Sequence, residues 1–400
     1  MKKTIDQVDV AGKVVLLRAD FNVPIEDGMI KDDKRIVATL PTIRSILDRG
    51  GRLVMMSHMG RPEAGRFDPS LSLAPVAERL GELLGSGIAF PSAGDCSESI
   101  DVSLDALENG RAMLLENLRF HAGERQGDQS FAQKLAALAD IYCNDAFGTS
   151  HRADASMVAV PEAMAGKPRV CGLLVKNELE HFHAILDNPV DPFVAVLGGA
   201  KVSDKIPVIE HLIPRTSAIL IGGAMAYTFC AALGKQVGES RVAPERLNDA
   251  KRILEMAAAS PCDLHLPVDH VCSTEFARSS GDIEVFEDDI RDGYMGLDIG
   301  PATQAQYTKA LEGAKTIAWN GPVGVFEWPP FAVGTQQVAQ AIATATAGGA
   351  KSIVGGGDTA SAARKFKIAD KVTHVSTGGG ASLALLAGET LRAIDLLDEA

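Results

Sequence analysis

Cysteine is scarce and unpaired in this 400-residue chain: Cys96, Cys143, Cys171, Cys230, Cys262 and Cys272 include no C-x-x-C pair. With no signal segment at the N-terminus, such a chain reads as a cytoplasmic protein whose thiols stay reduced and buried. Positive charge is also in deficit, 39 Lys and Arg against 52 Asp and Glu, for a formal net charge of -13. That balance excludes a nucleic-acid partner, because binding a phosphate backbone needs a basic face. An anionic substrate would therefore require Arg and Lys clustered locally. Long apolar runs are missing too. One uncharged stretch, Thr216 to Gly234, has the length of a membrane span, but Gly222 and Gly223 split it. It reads as buried strand, glycine turn and helix, so no membrane partner is expected. There is no low-complexity tract, no short-period repeat, and no Gly-Lys pair followed by Ser or Thr, which rules out a Walker A loop.

What remains is ordinary globular material, 46% hydrophobic and 23% charged. The length predicts two domains of roughly 150 to 200 residues each. Apolar β-rich runs alternate with amphipathic stretches, the pattern of parallel sheets flanked by helices. Strands are expected over 14–21, 52–57, 111–116, 140–144, 192–198, 217–222, 316–321 and 352–356. Between Ser72 and Leu84, Leu73, Val76, Ala77, Leu80, Leu83 and Leu84 follow the helical period. Pro189 and Pro192 interrupt the pattern after a helix carrying Leu179, Phe182 and Leu186. This marks the best domain boundary: one α/β domain, a connecting helix, then a second α/β domain.

Four times in the second half an apolar run ends in glycines before a helix-like segment, at "AVLGGAKVSDK", "ILIGGAMAYTF", "SIVGGGDTASA" and "HVSTGGGASLALL". In a parallel sheet such turns fall at the carboxyl ends of the strands, where glycines and helix N-termini can receive phosphates. Gly355, Gly357 and Ala360 satisfy the G-x-G-x-x-A dinucleotide fingerprint. The acidic residue that should bind the ribose after the next strand is absent, so an NAD-dependent oxidoreductase is a rival reading with half its signature. Asp358 beside the glycines suits Mg²⁺ on a phosphate, and it equally suits a helix N-cap with Thr359. Lys201 and Lys205 share a face if "AKVSDK" begins a helix, and a flexible point charge there suits a phosphoryl group in transit.

The first half holds a different inventory. "LLRADFNVP" puts Arg18, Asp20 and Asn22 at the end of a strand that looks buried, where polar groups need a reason. "SHMGRP" contributes His58 and Arg61, "ENLRF" Arg119, "NDAFGTSHRADAS" His151 and Arg152, and Arg35 precedes a helix. Singly each is a surface residue; together they describe a basic pocket for a small phosphorylated carboxylate.

Along its whole length the chain resembles the phosphoglycerate kinase family, on "VLLRADFNVP", "SHMGRP", "ENLRF", "CNDAFGTSHRADAS", "LGGAKVSDKI", "WNGPVGVFE", "GGGDTA" and "STGGGAS" in the family's order. The resemblance implies two doubly wound parallel-sheet, Rossmann-like α/β domains: a phosphoglycerate-binding domain over 1–172, a connecting hinge helix over 173–188, a nucleotide-binding domain over 189–376, and a segment, 377–400, returning to the first domain. It implies reversible phosphoryl transfer from 1,3-bisphosphoglycerate to Mg-ADP, giving 3-phosphoglycerate and ATP, in a monomer that closes by hinge bending. The substrate ligands carried over are Asp20, Phe21, Asn22, Arg35, His58, Met59, Gly60, Arg61, Arg119 and Arg152. The nucleotide ligands are Gly199, Ala200, Lys201, Gly222, Gly223, Gly296, Asn320, Pro322, Val325, Glu327 on the ribose, Gly356, Gly357, Asp358 on Mg²⁺, and Thr359. Arg35, Lys201, Lys205, Gly356 and Gly379 form the implied catalytic set, with Gly378 lending an N–H group. No general base is expected, because the attacking oxygen is already ionised; positioning and charge stabilisation carry the reaction. Rivals are the oxidoreductase and a non-catalytic nucleotide-binding protein. The departures from the family pattern are few: Met59 for the usual Leu, and Ala302, Ala384 and Ala387 where charged residues are common.

Overall fold

A computed structural model describes residues 1–91, 104–279 and 281–400. The chain divides into two compact units, Met1–Leu179 with Thr390–Ala400, and Glu180–Glu389.

The first unit is built on five parallel strands, β1 (Val14–Arg18), β2 (Arg52–Met56), β3 (Ala112–Leu114), β4 (Ile141–Asn144) and β5 (Arg169–Cys171), in the order β3-β2-β1-β4-β5. The inner strands are apolar without alternation because helices cover both faces. The helix Ala74–Leu84 buries Val76, Ala77 and Leu80 and ends at Gly85 in a left-handed conformation, φ 67°. The helix Leu173–Leu186 begins on Asp145, whose Oδ1 accepts from Leu174 N at 2.9 Å and Val175 N at 3.2 Å. The chain's end belongs to this unit: Lys3 N donates to Asp398 O at 2.8 Å, and the Asp398 carboxylate accepts from Arg169 N at 3.0 Å.

The second unit holds a six-stranded parallel sheet of β6 (Phe193–Leu197), β7 (Ala218–Ile221), β8 (Asp263–His265), β12 (Thr316–Asn320), β13 (Lys351–Gly355) and β14 (His374–Val375), in the order β8-β7-β6-β12-β13-β14. Between β8 and β12 the chain forms a three-stranded antiparallel sheet of β9 (Asp269–Ser273), β10 (Ile283–Glu287) and β11 (Met295–Ile299), in the order β10-β9-β11. The alternation of apolar runs predicts only parallel sheets, and this extra sheet departs from that expectation. Its outer strand, "IEVFE", is almost wholly exposed and carries no buried run to announce it. The uncharged stretch Thr216 to Gly234 folds as strand β7 and the helix Ala226–Ala232. Among the described residues no helix is long and apolar enough to cross a membrane. Five cysteines are buried and unpaired; Cys96 lies outside the described residues.

In both parallel sheets the strand order reverses beside the first strand, between β1 and β4 and between β6 and β12. At such switch points the loops leaving the two strands part and open a crevice at the carboxyl edge. Asp269 ties the antiparallel sheet to the helix Pro301–Glu312: its Oδ2 accepts from Ala302 N at 2.8 Å and its Oδ1 from Thr303 N at 2.8 Å. Asp269→Ala leaves both donors, the Thr303 one buried, without their acceptor, so equilibrium urea unfolding should show a loss of about 1–3 kcal/mol; an unchanged midpoint would remove Asp269 from that role.

Candidate active site

At the switch point of the first unit, β1 runs into Ala19, Asp20, Phe21 and Asn22. Arg35, in the first turn of the helix Lys34–Leu47, donates from Nη1 to Asp20 Oδ2 and to Asn22 O, both at 3.0 Å. Asn22 Oδ1 accepts from Gly60 N at 3.0 Å, and Arg119 Nη1 donates to Gly60 O at 2.6 Å. Phe21 is fully buried, with its N–H on Ser57 Oγ at 2.9 Å, and Met59 is buried beside it. The sequence-predicted Asp20, Phe21, Asn22, Arg35, His58, Met59, Gly60 and Arg119 are thus linked through one hydrogen-bonded edge. Arg61 and His151 are exposed and Arg152 is half-buried.

The charge here is concentrated. His58 is buried, and its pKa lies well below the ordinary histidine value, first through burial and then through the nearby charges of Arg18, Arg119, Arg152 and Arg35. It is a neutral ring among cations. Burial, and next the charge of Arg152, lowers the pKa of Arg119, while Asp154, 3.6 Å from Nη2, opposes the shift. The Nε groups of Arg119 and Arg152 are buried without a hydrogen-bond partner. Unpartnered buried guanidinium nitrogens are costly unless a ligand satisfies them.

Residue-type reasoning overlooked the side chain that joins these loops. Asn117, fully buried, accepts on Oδ1 from Met59 N at 3.0 Å and Arg119 N at 3.1 Å, and donates from Nδ2 to Met59 O at 2.8 Å and Leu71 O at 2.9 Å. All four of its hydrogen-bonding positions are used. Its place in "ENLRF", one residue before Leu118 and Arg119, was the available signal.

In the second unit the four glycine turns stand at the carboxyl ends of β6, β7, β13 and β14, one edge of one sheet. Two of them open helices directly: Gly356, at φ 95°, caps Gly357–Lys365, and Gly378 caps Gly379–Leu386. These two turns face each other, since a Cβ on Gly379 would lie 3.5 Å from Gly357 N. The turn at Gly198 and Gly199 does not begin a helix, which starts only at Ile206. The expectation that Lys201 and Lys205 share a helical face is therefore corrected: residues 202–205 form a bend and turn ahead of the helix. Lys201 is exposed, whereas Lys205 is buried with Nζ on Asn320 Oδ1. Burial pushes the Lys205 pKa down to about 8, against the opposing charges of Asp204 and Asp358.

Asn320, at the end of β12, keeps its Nδ2 buried without a partner beside Gly355 and Gly356. Thr359 Oγ1 accepts from Gly321 N at 2.7 Å. Asp358 lies exposed in the first turn of the helix capped by Gly356, so the N-cap alternative for it falls away. Gly199 N bonds Pro322 O at 2.9 Å, Gly223 N bonds Val323 O at 2.8 Å, and Val325 N bonds Leu297 O at 2.8 Å. Gly222 packs on Val323 and Gly296 beneath the Tyr227 hydroxyl, each without room for a Cβ. Ala200 and Glu327 are exposed at the same edge.

Glycine-lined strand ends with two lysines and an aspartate in one unit, and an arginine-lined strand end in the other, make this an α/β kinase of small anionic substrates. Comparison with known proteins specifies the family. The profile described as "Phosphoglycerate kinase" matches residues 5–389. The phosphoglycerate kinase of Rhodopirellula baltica is 55% identical over 404 residues, covering 100% of both chains, and that of Clostridium tetani is 44% identical, covering 100% of this chain and 98% of the relative. The solved structure of phosphoglycerate kinase from Coxiella burnetii superimposes with a TM-score of 0.89 at 39% identity, covering 99% of this chain and 98% of that one. The Pyrococcus horikoshii phosphoglycerate kinase gives 0.82 at 31%, with the same coverage. The chain belongs to the phosphoglycerate kinase family, and its reaction is the reversible transfer of a phosphoryl group between 1,3-bisphosphoglycerate and ADP.

Proposed function

We propose that the arginine-lined edge of the first unit binds 3-phosphoglycerate and 1,3-bisphosphoglycerate, and that the glycine-lined edge of the second binds the nucleotide. One observation supports the first half above others: Arg119 and Arg152 keep buried Nε–H groups open, which a phosphate or carboxylate satisfies. Asp20 and Asn22 hold Arg35 and Gly60 in place around it. In the second unit the open Asn320 Nδ2 and the N-termini behind Gly356 and Gly378 offer donors to phosphates. Gly199, Ala200, Gly222, Gly223, Gly296, Pro322 and Val325 shape the adenosine pocket, and Glu327 takes the ribose.

Mg²⁺ arrives as part of the substrate, Mg-ADP or Mg-ATP. Among the described residues no group of three or more His, Cys, Asp or Glu side chains could hold a metal alone. Asp358 suits the lesser demand of a single ligand. It is exposed, without a hydrogen bond or ion pair among the described residues, in the first turn of a helix behind the phosphate-facing glycines. With Mg-nucleotide bound, Asp358 would hold the ion, which would supply charge neutralisation at the phosphates.

Lys201 carries the transferring group, Lys205 supports it, and Arg35 and the Gly379 N–H stabilise the charge that develops on the equatorial oxygens. A general base has no part to play, and His58, neutral and buried, acts as a substrate ligand. The protein works as a cytoplasmic monomer, and hinge bending brings the two bound substrates together and excludes water.

In a coupled assay of ATP-dependent 3-phosphoglycerate phosphorylation, Lys201→Ala should lower kcat by about 10²–10³-fold; turnover equal to the parent's would remove Lys201 from this role. Lys205 is charged below about 8 and loses its proton as pH rises through that value. The kcat/KM of the parent should accordingly decline above that pH while Lys205→Arg stays level; superimposable profiles would show that the Lys205 charge is not used. Small-angle scattering should give a smaller radius of gyration with both substrates than with neither, and an identical radius would exclude closure.

A further inference from the structure

The arginine cluster rests on a buried polar chain that the reaction as described does not use. Arg18, the last residue of β1, is wholly buried, as are Ser156 and Glu124, and His58 is nearly so. Arg18 Nε donates to Ser156 Oγ at 2.8 Å, Nη1 donates to Ala19 O, and Nη2 lies 3.2 Å from His58 Nδ1. Ser156 Oγ donates in turn to Glu124 Oε1 at 2.6 Å, and Ser156 N to Oε2 at 3.0 Å. Tyr142, alongside, donates its hydroxyl proton to Ser156 O at 2.9 Å.

A guanidinium has donors and no acceptor. At the His58 contact Arg18 must donate, so Nδ1 must accept and carry no proton. The single proton of the neutral ring is then on Nε2. We propose that Arg18, aimed by Ser156 and Glu124, is a positioning residue that fixes His58 as the Nε2–H tautomer, a neutral single donor for an oxygen of the bound phosphoglycerate. The substrate end rests on the functional reading above; the tautomer lock does not depend on it.

The surroundings support the arrangement. Burial disfavours a second proton on His58, and the charges of Arg18, Arg119, Arg152 and Arg35 disfavour it further. Glu124 is the buried counter-charge of Arg18, one hydroxyl away. Burial raises its pKa, and the Arg18 charge is the first influence holding it down. With the proton held on Nε2, His58 adds a directional hydrogen bond without adding a further cation to a crowded site. The ring cannot donate from both nitrogens to the same anion, and it carries no exchangeable charge to pass to the phosphoryl group.

Two-bond ¹H–¹⁵N correlation spectra of uniformly labelled protein without ligand test this, with the His58 signals assigned by their loss in His58→Gln. The expected pattern is bare Nδ1 and protonated Nε2, unchanged between pH 5.5 and 8. In Arg18→Met the ring should become an averaged mixture of tautomers that titrates within that window, and Arg18→Lys, which keeps a donor, should recover part of the parent pattern. Should Arg18→Met not fold, Ser156→Ala leaves Arg18 in place but unaimed and should show the same averaging to a smaller extent. A protonated Nδ1 or an imidazolium at pH 7 in the parent overturns the proposal, as does a parent-like spectrum in every folded variant. In steady state, Arg18→Met should raise KM for 3-phosphoglycerate about tenfold, the worth of one hydrogen bond to a charged group, with KM for ATP unchanged. A locked tautomer together with unaltered KM for 3-phosphoglycerate would retain the lock and overturn the assignment of His58 to the substrate.

Discussion

The second unit depends on a backbone approach that only glycine permits. Where β6 and β12 end side by side, Gly198 N donates to Asn320 O at 3.1 Å and Gly199 N to Pro322 O at 2.9 Å. A Cβ on Gly198 would sit inside the Pro322 carbonyl, and one on Gly321, at φ 109°, would collide with Gly198 O. This contact closes the switch point from below. It brings Asn320 to Lys205, Gly321 to Thr359 and Val323 to Gly223, so the main-chain approach sets where Lys205 and the glycine donors of the edge stand. A site that must stabilise diffuse phosphoryl charge gains from such fixed donors, which need no reorganisation as the charge moves.

The first unit meets the opposite demand, to gather like charges without flying apart. Carboxylates and amides, placed one by one, meet it: Asp20 on Arg35, Asp154 on Arg119, Glu124 behind Arg18, and Asn117 stapling two loops. His58 stays neutral at the centre. The cluster is balanced by these groups, while Arg119 and Arg152 each keep a buried Nε without a partner.

Much of this was legible in the residues. Strands such as "VVLLR" and "FVAVL" are buried on both faces, and an unbroken apolar run states that directly. The glycine turns at the carboxyl edge followed from the same reasoning, as did the arginines and histidine after successive strands. The reason for the glycines was only partly legible. Gly357 faces open space at a helix N-terminus, but Gly198, Gly222 and Gly296 are glycine because protein atoms occupy the Cβ position, a fact of tertiary approach. Four-residue spacing suggests a helix for Lys201 and Lys205, whereas a turn intervenes and buries only the second. The antiparallel sheet escaped notice since "IEVFE" is exposed and "DHVCS" buries polar groups, so neither shows strand periodicity. Arg18 and Glu124 lie 106 positions apart in sequence, and nothing in either neighbourhood announces the serine between them.

The chain's last segment, Thr390–Ala400, completes the unit that its first residues begin, through Lys3, Arg169 and Asp398. The second unit is therefore an insertion within the first. During synthesis from the N-terminus the arginine-bearing unit emerges early yet lacks Asp398, which bonds Arg169 of β5, until residues 390–400 have been made, whereas the glycine-lined unit is continuous and can fold as soon as it is made. The part of the molecule synthesised first is the part finished last.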